Sequence, residues 1–249
     1  MDKEITILVV THKMALIPAN DLYVPILVGP NKESIKYENY FTDDTGINIA
    51  EKNETFCELT ALYWAWKNLD SDYIGLVHYR RYFMSKIKSN NIIKIEELAS
   101  ILSSQKIVLP KKRNYFIETT KSHYEHNHNI KDLLAVQNII KEYYPNYLPT
   151  FENIMGKRSG HRFNMMIMKK EKLDEYCSWL FDILFKLEQV IDISQYDEYQ
   201  KRVYGFLSER LLDVWIMHND EEYEELPFKF TEHQNWLKKG GKFLVNKLK

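Results

Sequence analysis

Short runs of almost purely apolar residues recur along the chain, separated by longer stretches in which apolar residues return at every third or fourth position. Apolar runs of about four to eight residues are typical of strands buried inside a sheet that is covered on both faces. They predict strands at residues 5–10, 22–28, 74–77, 106–110 and 163–168. Together these runs predict one central sheet.

The stretches between the strands carry the helical pattern. Apolar residues at helical spacing predict helices at 54–68, 95–102, 173–191 and 196–217, and one or two helices within 123–144. Strands that alternate with helices in this way build strand–helix–strand units with parallel strands. The pattern therefore predicts a single α/β domain, with a mostly parallel central sheet flanked by helices and a helical C-terminal region.

Composition narrows the class of protein. With 249 residues, 45% hydrophobic residues and only 8 Gly and 7 Pro, the chain is long enough and apolar enough for one packed domain. Its formal net charge of −1 gives no indication of nucleic-acid binding, so we expect no nucleic-acid partner. No apolar run approaches the ~18 residues of a membrane-spanning helix, and no signal region precedes the first strand. Cys57 and Cys177 lie in apolar contexts typical of reduced thiols, so we expect a cytoplasmic protein.

The last residues differ from the rest of the chain. Residues 235–249 contain five Lys and no acidic residue, interleaved with apolar side chains. Such a segment is either a solvated terminus or a peripheral contact with the inner face of an anionic membrane. We therefore divide the sequence into a domain at 1–227 and a basic tail at 228–249.

Residues 78–82 are the most informative segment, because they follow the predicted strand 74–77 directly. Ligands of open α/β sheets bind beyond the carboxyl ends of strands. The neighbouring guanidinium groups of Arg80 and Arg81 suit a diphosphate, and the ring of Tyr79 can stack on a base. His78 adds a further donor. The alternative is an Arg-rich loop that forms ordinary surface ion pairs.

Two other polar groups belong to the same end of the predicted sheet. Thr11, His12 and Lys13 end the first strand, where a nucleotide would meet the sheet or where an ordinary polar loop would lie. Residues 43–46, followed by residues 48–53, crowd short polar side chains that suit recognition of sugar hydroxyl groups or form turns. The members of this second group that we select are Asp44, Asn48 and Lys52.

Metal binding has two candidate motifs. His123, His126 and His128 invite a zinc interpretation, but no helical His-Glu-x-x-His motif and no nearby cysteine complete such a site. Surface histidines or hydrogen-bonding ligands for a sugar fit this spacing better. Asp70 and Asp72 form an Asp-x-Asp pair of the type that holds Mg²⁺ or Mn²⁺ on a diphosphate, but they precede their strand. We therefore expect diphosphate binding without a required metal, with Mn²⁺ or Mg²⁺ as the alternative.

A carboxylate stands in the otherwise apolar last helix. Glu209 precedes Arg210, and the two are either a buried ion pair or a general base with its neighbour. Burial of such a pair seldom stabilises a fold more than an apolar replacement would, which favours a function. Asp197 and Arg202 lie just upstream.

With these residues in view, the sequence resembles a bacterial glycosyltransferase family found in capsule, exopolysaccharide and lipopolysaccharide O-antigen clusters. The family was long described only as a domain of unknown function, and it includes galactofuranosyltransferases. The resemblance is carried by segments up to about Pro227, namely 10–13, 43–46, 48–53, 57–67, 73–83, 109–113, 164–168 and 205–211, with His123, Tyr124, His128 and Asp132.

The resemblance implies a GT-A-like, Rossmann-like fold, a UDP-sugar donor and a glycan or polyprenyl-linked acceptor. The transferred sugar would be galactofuranose or another hexose. By analogy with inverting enzymes, Glu209 would be the catalytic base, with Asp197 as second choice. Donor binding is assigned to Thr11, His12, Lys13, Asp44, Asn48, Lys52, His78, Tyr79, Arg80, Arg81 and Asn164, and acceptor binding to His123, Tyr124, His128 and Arg210.

A second class of protein fits the same residues. A non-catalytic carbohydrate-binding or scaffold protein of a polysaccharide-assembly complex would bind sugar without affinity for UDP. A sugar phosphotransferase is disfavoured, because the chain has no Gly-rich phosphate loop of the P-loop type.

Overall fold

The computed structural model describes residues 4–30, 32, 40–88 and 90–231. Within them eleven strands form two sheets. In chain order they are β1 (Ile5–Thr11), β2 (Tyr23–Leu27), β3 (Phe41–Thr42), β4 (Tyr73–His78), β5 (Arg81–Phe83), β6 (Ile107–Pro110), β7 (Arg113–Asn114), β8 (Ser159–Gly160), β9 (Met166–Lys169), β10 (Glu224–Leu226) and β11 (Phe228–Phe230). Strands β7 and β8 pair only with each other, and the others form the central sheet.

Eight α-helices accompany these strands in the described residues. They are α1 (Asn53–Phe56), α2 (Leu59–Asn68), α3 (Ile95–Ser104), α4 (Thr120–Glu125), α5 (Ile130–Tyr143), α6 (Leu148–Gly156), α7 (Lys170–Glu188) and α8 (Val203–His218). The predicted helices at 54–68, 95–102, 173–191 and 196–217 each overlap one or two of these. Helix α6 was not predicted.

The order of the strands brings several carboxyl ends to one edge. The main path of the sheet is β10-β6-β9-β4-β1-β2-β3, and β5 pairs with both β4 and β11. Strand β1 is parallel to β2 and β4. Strand β9 is antiparallel to its neighbours β4 and β6, so β6 runs in the same direction as β4 and β1. The predicted α/β fold with a mostly parallel sheet is confirmed, and β1, β4 and β6 end at the same edge.

Each face of the sheet carries its own core, because successive strand residues point to opposite sides. Leu8 and Val10 of β1 belong to the larger core, which α2, α5, α7 and α8 cover. Ile7 and Val9 belong to the smaller core, which includes Leu98 of α3. The central strands are covered on both sides, which explains why they are apolar throughout.

The predicted helix 54–68 is interrupted. Cys57 lies between α1 and α2 with φ 54° and ψ −129°, outside any helical conformation. Its N–H donates to the carbonyl of Asn53, which closes α1, and Glu58 then precedes α2. The prediction of one continuous helix was wrong, because apolar spacing does not report the backbone conformation of a single residue.

The predicted strand 163–168 is also shorter than expected. Phe163 and Asn164 have φ values of 74° and 50°, in the left-handed region, and β9 begins only at Met166. Asn164 therefore lies in a turn that precedes the strand, and the expectation of an Asn-bearing strand was wrong. In addition, β9 is antiparallel to β4.

The folded part continues past the boundary drawn at Pro227. Phe228–Phe230 pair with β5, and the Thr231 N–H donates to the Arg80 carbonyl at 2.9 Å. The boundary at 227 is therefore too early. The basic segment 235–249 lies outside the described residues. Within 4–30, 32, 40–88 and 90–231, no helix has the length and apolarity needed to cross a membrane.

Candidate functional site

Tyr79 directly follows β4, and residues that follow β1 and β4 contact its ring. The Tyr79 side chain is buried, and the ring of His12 lies edge-on to it at 5.5 Å between centroids. Two cations lie over the same ring, with Lys13 Nζ at 5.0 Å and Arg80 Cζ at 4.8 Å from its centre. Thr11 is buried at the end of β1, where its hydroxyl donates to the Lys13 carbonyl at 2.5 Å. The structure thus brings the predicted residues of β1 and β4 together.

Arg81 begins the short strand β5, which was not predicted. Its guanidinium lies over the ring of Phe163 at 4.1 Å and near the ring of Phe230 at 5.1 Å. Burial lowers the pKa of Arg81, while the carboxylates of Glu58 and Glu209 act in the opposite sense. The group is therefore held between aromatic walls and within the field of both carboxylates.

His78 is neutral at physiological pH. Burial, together with the charges of Arg81 and Arg80, lowers the pKa of His78 to about 3. Its Nδ1 accepts the N–H of Arg80 at 3.4 Å, which leaves the proton on Nε2. His78 therefore offers a neutral N–H donor.

Asn164 links the turn before β9 to a carboxylate that sequence reasoning missed. Its Nδ2 donates to Oε1 of Glu58 at 2.9 Å and to the Gly205 carbonyl at 3.2 Å. Its Oδ1 accepts the hydroxyl of Ser208 at 3.0 Å. Asn164 is buried, and the partners of its amide fix the orientation of that group. Its contacts account for a structural role and do not show direct contact with a ligand.

Glu209 is held by the same turn. Its Oε1 accepts the N–H of Phe163 at 3.0 Å, and its Oε2 accepts from Arg162 Nη1 at 3.0 Å. Arg210 Nη1 also lies 3.3 Å from Oε2. Both oxygens of the predicted base therefore have partners within the protein.

Arg162 joins Glu209 to the predicted acceptor residues. The guanidinium is 5% exposed, lies 4.7 Å from the ring centre of Tyr115 and contacts Nδ1 of His123 at 3.1 Å. Burial and the charge of Arg162 lower the pKa of His123 to about 3. Arg162 was not among the predicted residues, although it lies two positions before Asn164.

The remaining predicted acceptor residues line the wall formed by α4 and α8. His128 stacks on Phe206 at 4.2 Å and bonds Gln200 through Nδ1 at 3.1 Å, and burial lowers its pKa to about 4. Arg210 lies 4.9 Å from the ring centre of Tyr124 and donates to the Phe206 carbonyl. Burial lowers the pKa of Arg210 to about 10. Tyr124 is completely buried, so it supports Arg210 and presents no surface to an acceptor.

Four predicted residues have partners of their own outside this cluster. Asp44 faces Lys32 at 3.3 Å, and Lys52 pairs with Glu188 at 2.7 Å. Asn48 binds the backbone on both sides of its turn, and Asp197 Oδ1 accepts the Gln200 N–H at 2.7 Å. These contacts are those of turns and surface ion pairs, and none of them joins these residues to Arg81 or Glu209.

The carboxylates at the start of β4 lie at the opposite edge of the sheet, as predicted. Asp72 Oδ2 accepts the N–H of Glu4, which precedes β1. His126 turns away from His128 and pairs with Glu118 at 2.7 Å. In the part of the chain that the structure describes, no three His, Cys, Asp or Glu side chains are grouped so as to hold a metal ion.

Arg202 joins Lys13, Arg80 and Arg81 as a fourth cation, and we call the region that these cations share with Glu58 and Glu209 the cleft. Arg202 donates through Nε to Sγ of Cys57 at 3.1 Å, and its charge acts on His78 and Arg81. Burial and the neighbouring Glu58 raise the pKa of the Cys57 thiol to about 11, so it is a protonated partner. Arg202 and Glu58 lie far apart in sequence, and no spacing rule connects them.

Comparison with known proteins gives two matches. Residues 6–220 match a family model described as a domain of unknown function, DUF4422. The structure is similar to that of the WbbM bifunctional glycosyltransferase in its apo form, with a TM-score of 0.83 and 29% sequence identity over 92% of this chain. This similarity spans 46% of the WbbM chain, so the present chain covers about half of that protein. No curated protein matches.

The family model covers most of the chain, from within β1 to just beyond α8, and includes every residue of the cleft described above except the β11 wall. The chain therefore belongs to the DUF4422 family.

Proposed function

We propose that this protein is a glycosyltransferase that moves a hexosyl group, best galactofuranosyl, from a UDP-sugar to a glycan or polyprenyl-linked acceptor. The similarity to WbbM over 92% of the chain supports the reaction class. The GT-A-like arrangement, with a polar cleft at the carboxyl edge of β1 and β4, supports a nucleotide-sugar donor. We propose that the reaction serves capsule, exopolysaccharide or O-antigen synthesis in the cytoplasm, with the protein either free or at the inner face of the membrane.

One observation carries the donor assignment: the cationic side chains converge at this edge. Arg80 and Lys13 share the ring of Tyr79, and the charges of Arg81 and Arg202 both act on His78. A diphosphate carries the opposite charge, and guanidinium groups match its oxygens in geometry. The neutral His78 Nε2–H adds a hydrogen-bond donor.

In the reaction, the acceptor hydroxyl attacks the anomeric carbon as the bond from that carbon to the diphosphate breaks. The electron pair of that bond leaves with UDP, and the cations of the cleft stabilise the charge that develops there. Such stabilisation in a preorganised site is usually the largest contribution to catalysis. The acceptor would approach from the wall that holds His123, His128 and Arg210, and a carboxylate of the cleft would take its proton.

The donor assignment is tested by binding of UDP to the Arg81→Ala variant. Loss of one charged hydrogen-bonding group should weaken UDP binding about 10- to 100-fold, because such bonds contribute on the order of 1.5–3 kcal/mol. Isothermal titration calorimetry with UDP measures this. Lys169→Ala is the matched control, since Lys169 lies at the opposite edge of the sheet beside Tyr73 and pairs with Glu171.

Equal UDP affinity of wild type and Arg81→Ala would refute the phosphate site. The competing function, a non-catalytic carbohydrate-binding protein, predicts binding of glycan without measurable affinity for UDP. A panel of UDP-sugars, including the galactofuranose donor, tests turnover through released UDP and identifies the transferred sugar.

A further inference from the structure

Glu58 and Glu209 are the two carboxylates of the cleft, and they differ in their hydrogen-bond partners. Glu209 uses both oxygens within the protein, one for the Phe163 N–H and the other for Arg162. If Glu209 accepted a proton, the 5% exposed guanidinium of Arg162 would lose its charge partner. Breaking a buried pair is costly, since it leaves an unpaired buried charge. Glu209 is built to hold the turn that contains Phe163 and Asn164.

The carboxylate of Glu58 has fewer hydrogen-bond partners within the protein than that of Glu209. Glu58 is half-buried, and among the described residues its carboxylate accepts from one side chain, Asn164 Nδ2 at Oε1, and from its own backbone N–H. Its carboxylate therefore keeps hydrogen-bonding capacity for a substrate hydroxyl. The left-handed turn at Cys57 fixes the backbone immediately before it, and α2 fixes the backbone after it.

The position of Glu58 is fixed by a relay of contacts from α8. The Gly205 carbonyl and the Ser208 hydroxyl orient the amide of Asn164, and that amide orients Oε1 of Glu58. Arg81 lies close enough for the charge of Glu58 to act on it. The charge of the Glu58 carboxylate thus acts on the cation that we assign to the departing diphosphate.

We propose that Glu58 is the general base of the transfer and that Glu209 is a positioning residue, an inference that rests on the proposed glycosyltransferase function. The Glu58 carboxylate takes the proton of the acceptor hydroxyl while that oxygen forms its bond to the anomeric carbon. The bond between this carbon and the diphosphate oxygen breaks, and its electron pair leaves with UDP. Glu58 ends as a neutral acid and returns its proton to water after product release.

The electrostatic setting is compatible with this role. Burial raises the pKa of Glu58, and Glu209 adds to this, whereas the Asn164 hydrogen bond and Arg202 lower it. A raised pKa brings a carboxylate closer to the operating pH, where a base is most effective. The charged and titratable groups that face Glu58 are Cys57, Arg81, Arg202 and Glu209.

The test compares Glu58→Gln with Glu209→Gln in the intact chain. Glu58→Gln should lower kcat for transfer by about 10²- to 10⁴-fold, the usual contribution of a general base. Its affinity for UDP should stay within about threefold of wild type, and the acidic limb of the pH profile of kcat/KM should disappear. Glu209→Gln should retain that limb and lose less kcat.

Glu58→Asp is the second variant, in case the glutamine variant folds poorly. It keeps the carboxylate and should retain the acidic limb with reduced kcat. Transfer by Glu58→Gln at more than a tenth of the wild-type kcat would overturn the assignment. So would a raised KM for the donor with unchanged kcat, which would make Glu58 a donor-binding residue. If wild type itself neither binds UDP nor transfers sugar, the proposed function fails, whichever result Glu58→Gln gives.

Discussion

At the scale of single residues, the cleft depends on backbone conformations that side chains rarely adopt. Cys57, Phe163 and Asn164 all have positive φ values without being glycine. Each such conformation costs on the order of 1–3 kcal/mol and persists where surrounding structure over-determines it. Here the turn at Cys57 precedes Glu58, and the other two residues bring Asn164 to that carboxylate. The turn at Cys57 was not predictable, because Cys carries no turn signal, and at the other turn only Asn164 carries one.

Gly75 is a residue of the central sheet at which there is no room for a side chain. It lies in β4 between Ile7 and Ile167 on the neighbouring strands, and a Cβ there would be 3.0 Å from both side chains. Gly75→Ala should therefore destabilise the protein by about 1–3 kcal/mol through overpacking. Urea denaturation measures the change.

Gly156→Ala is the control for this prediction. A Cβ at Gly156, the last residue of α6, meets nothing within 4 Å. Alanine is favoured over glycine in helices by about 0.5–1 kcal/mol, so this variant should be as stable as wild type or slightly more stable. Equal stability of the Gly75→Ala variant and wild type would contradict the packing argument.

At the scale of elements, the long strands and most helices were predictable, whereas the short strands near the site were not. The runs in β1, β4 and β6 are apolar because these strands are covered on both faces. The short strands β5, β10 and β11 have no such pattern. Strand β10 pairs with β6, β5 pairs with β4, and β11 pairs with β5. Arg81 and Phe230 lie on these short strands. The sequence therefore indicated the edge at which the site forms but not its walls.

Helix α8 secures the turn before β9 through Glu209, and this predicts a large effect on stability. Glu209→Ala leaves Arg162 nearly buried without its carboxylate and the Phe163 N–H without its acceptor. Loss of one partner of a buried pair costs about 3–5 kcal/mol, and we expect the lower end because the Glu209 side chain is 17% exposed. Chemical denaturation at neutral pH gives the value.

The matched control is Glu171→Ala, which removes a similar ion pair, with Lys169, at an exposed position. Exposed pairs contribute at most about 1 kcal/mol. If Glu209→Ala were no more destabilising than Glu171→Ala, the role of Glu209 in holding the turn would be wrong.

At the scale of the whole molecule, a net charge of −1 conceals a concentration of cations at one edge of the sheet. Composition cannot show this, because Arg80, Arg162 and Arg202 come from segments that only the fold brings together. The pKa values of His78, His123 and His128 in the same region are lowered, first by burial and then also by the charges of neighbouring arginines.

This arrangement predicts loss of stability on mild acidification. His78, His123 and His128 have pKa values lowered to between about 3 and 4, against an ordinary value of 6.5. Between these values the unfolded chain binds more protons than the native protein, so stability falls as pH decreases. Urea midpoints at pH 7 and pH 5 should show the lower value at pH 5.

Buried carboxyl groups act in the opposite direction. Burial raises the pKa of Asp43 and of Asp132, so these groups favour the native protein as pH falls. The histidine effect should dominate from pH 6.5 downward, and His128→Gln should make the pH dependence shallower. An unchanged midpoint between pH 7 and pH 5 would contradict the prediction.

Because β11 lies near the end of the described chain, its position affects how the site forms during protein synthesis. Phe230 forms one wall of the Arg81 guanidinium, and Thr231 donates its N–H to the carbonyl of Arg80. Chains emerge from the ribosome starting with their N-terminal residues. Strands β1 and β4 can therefore pair early in translation, but the surroundings of Arg80 and Arg81 stay incomplete until residues 228–231 have been synthesised.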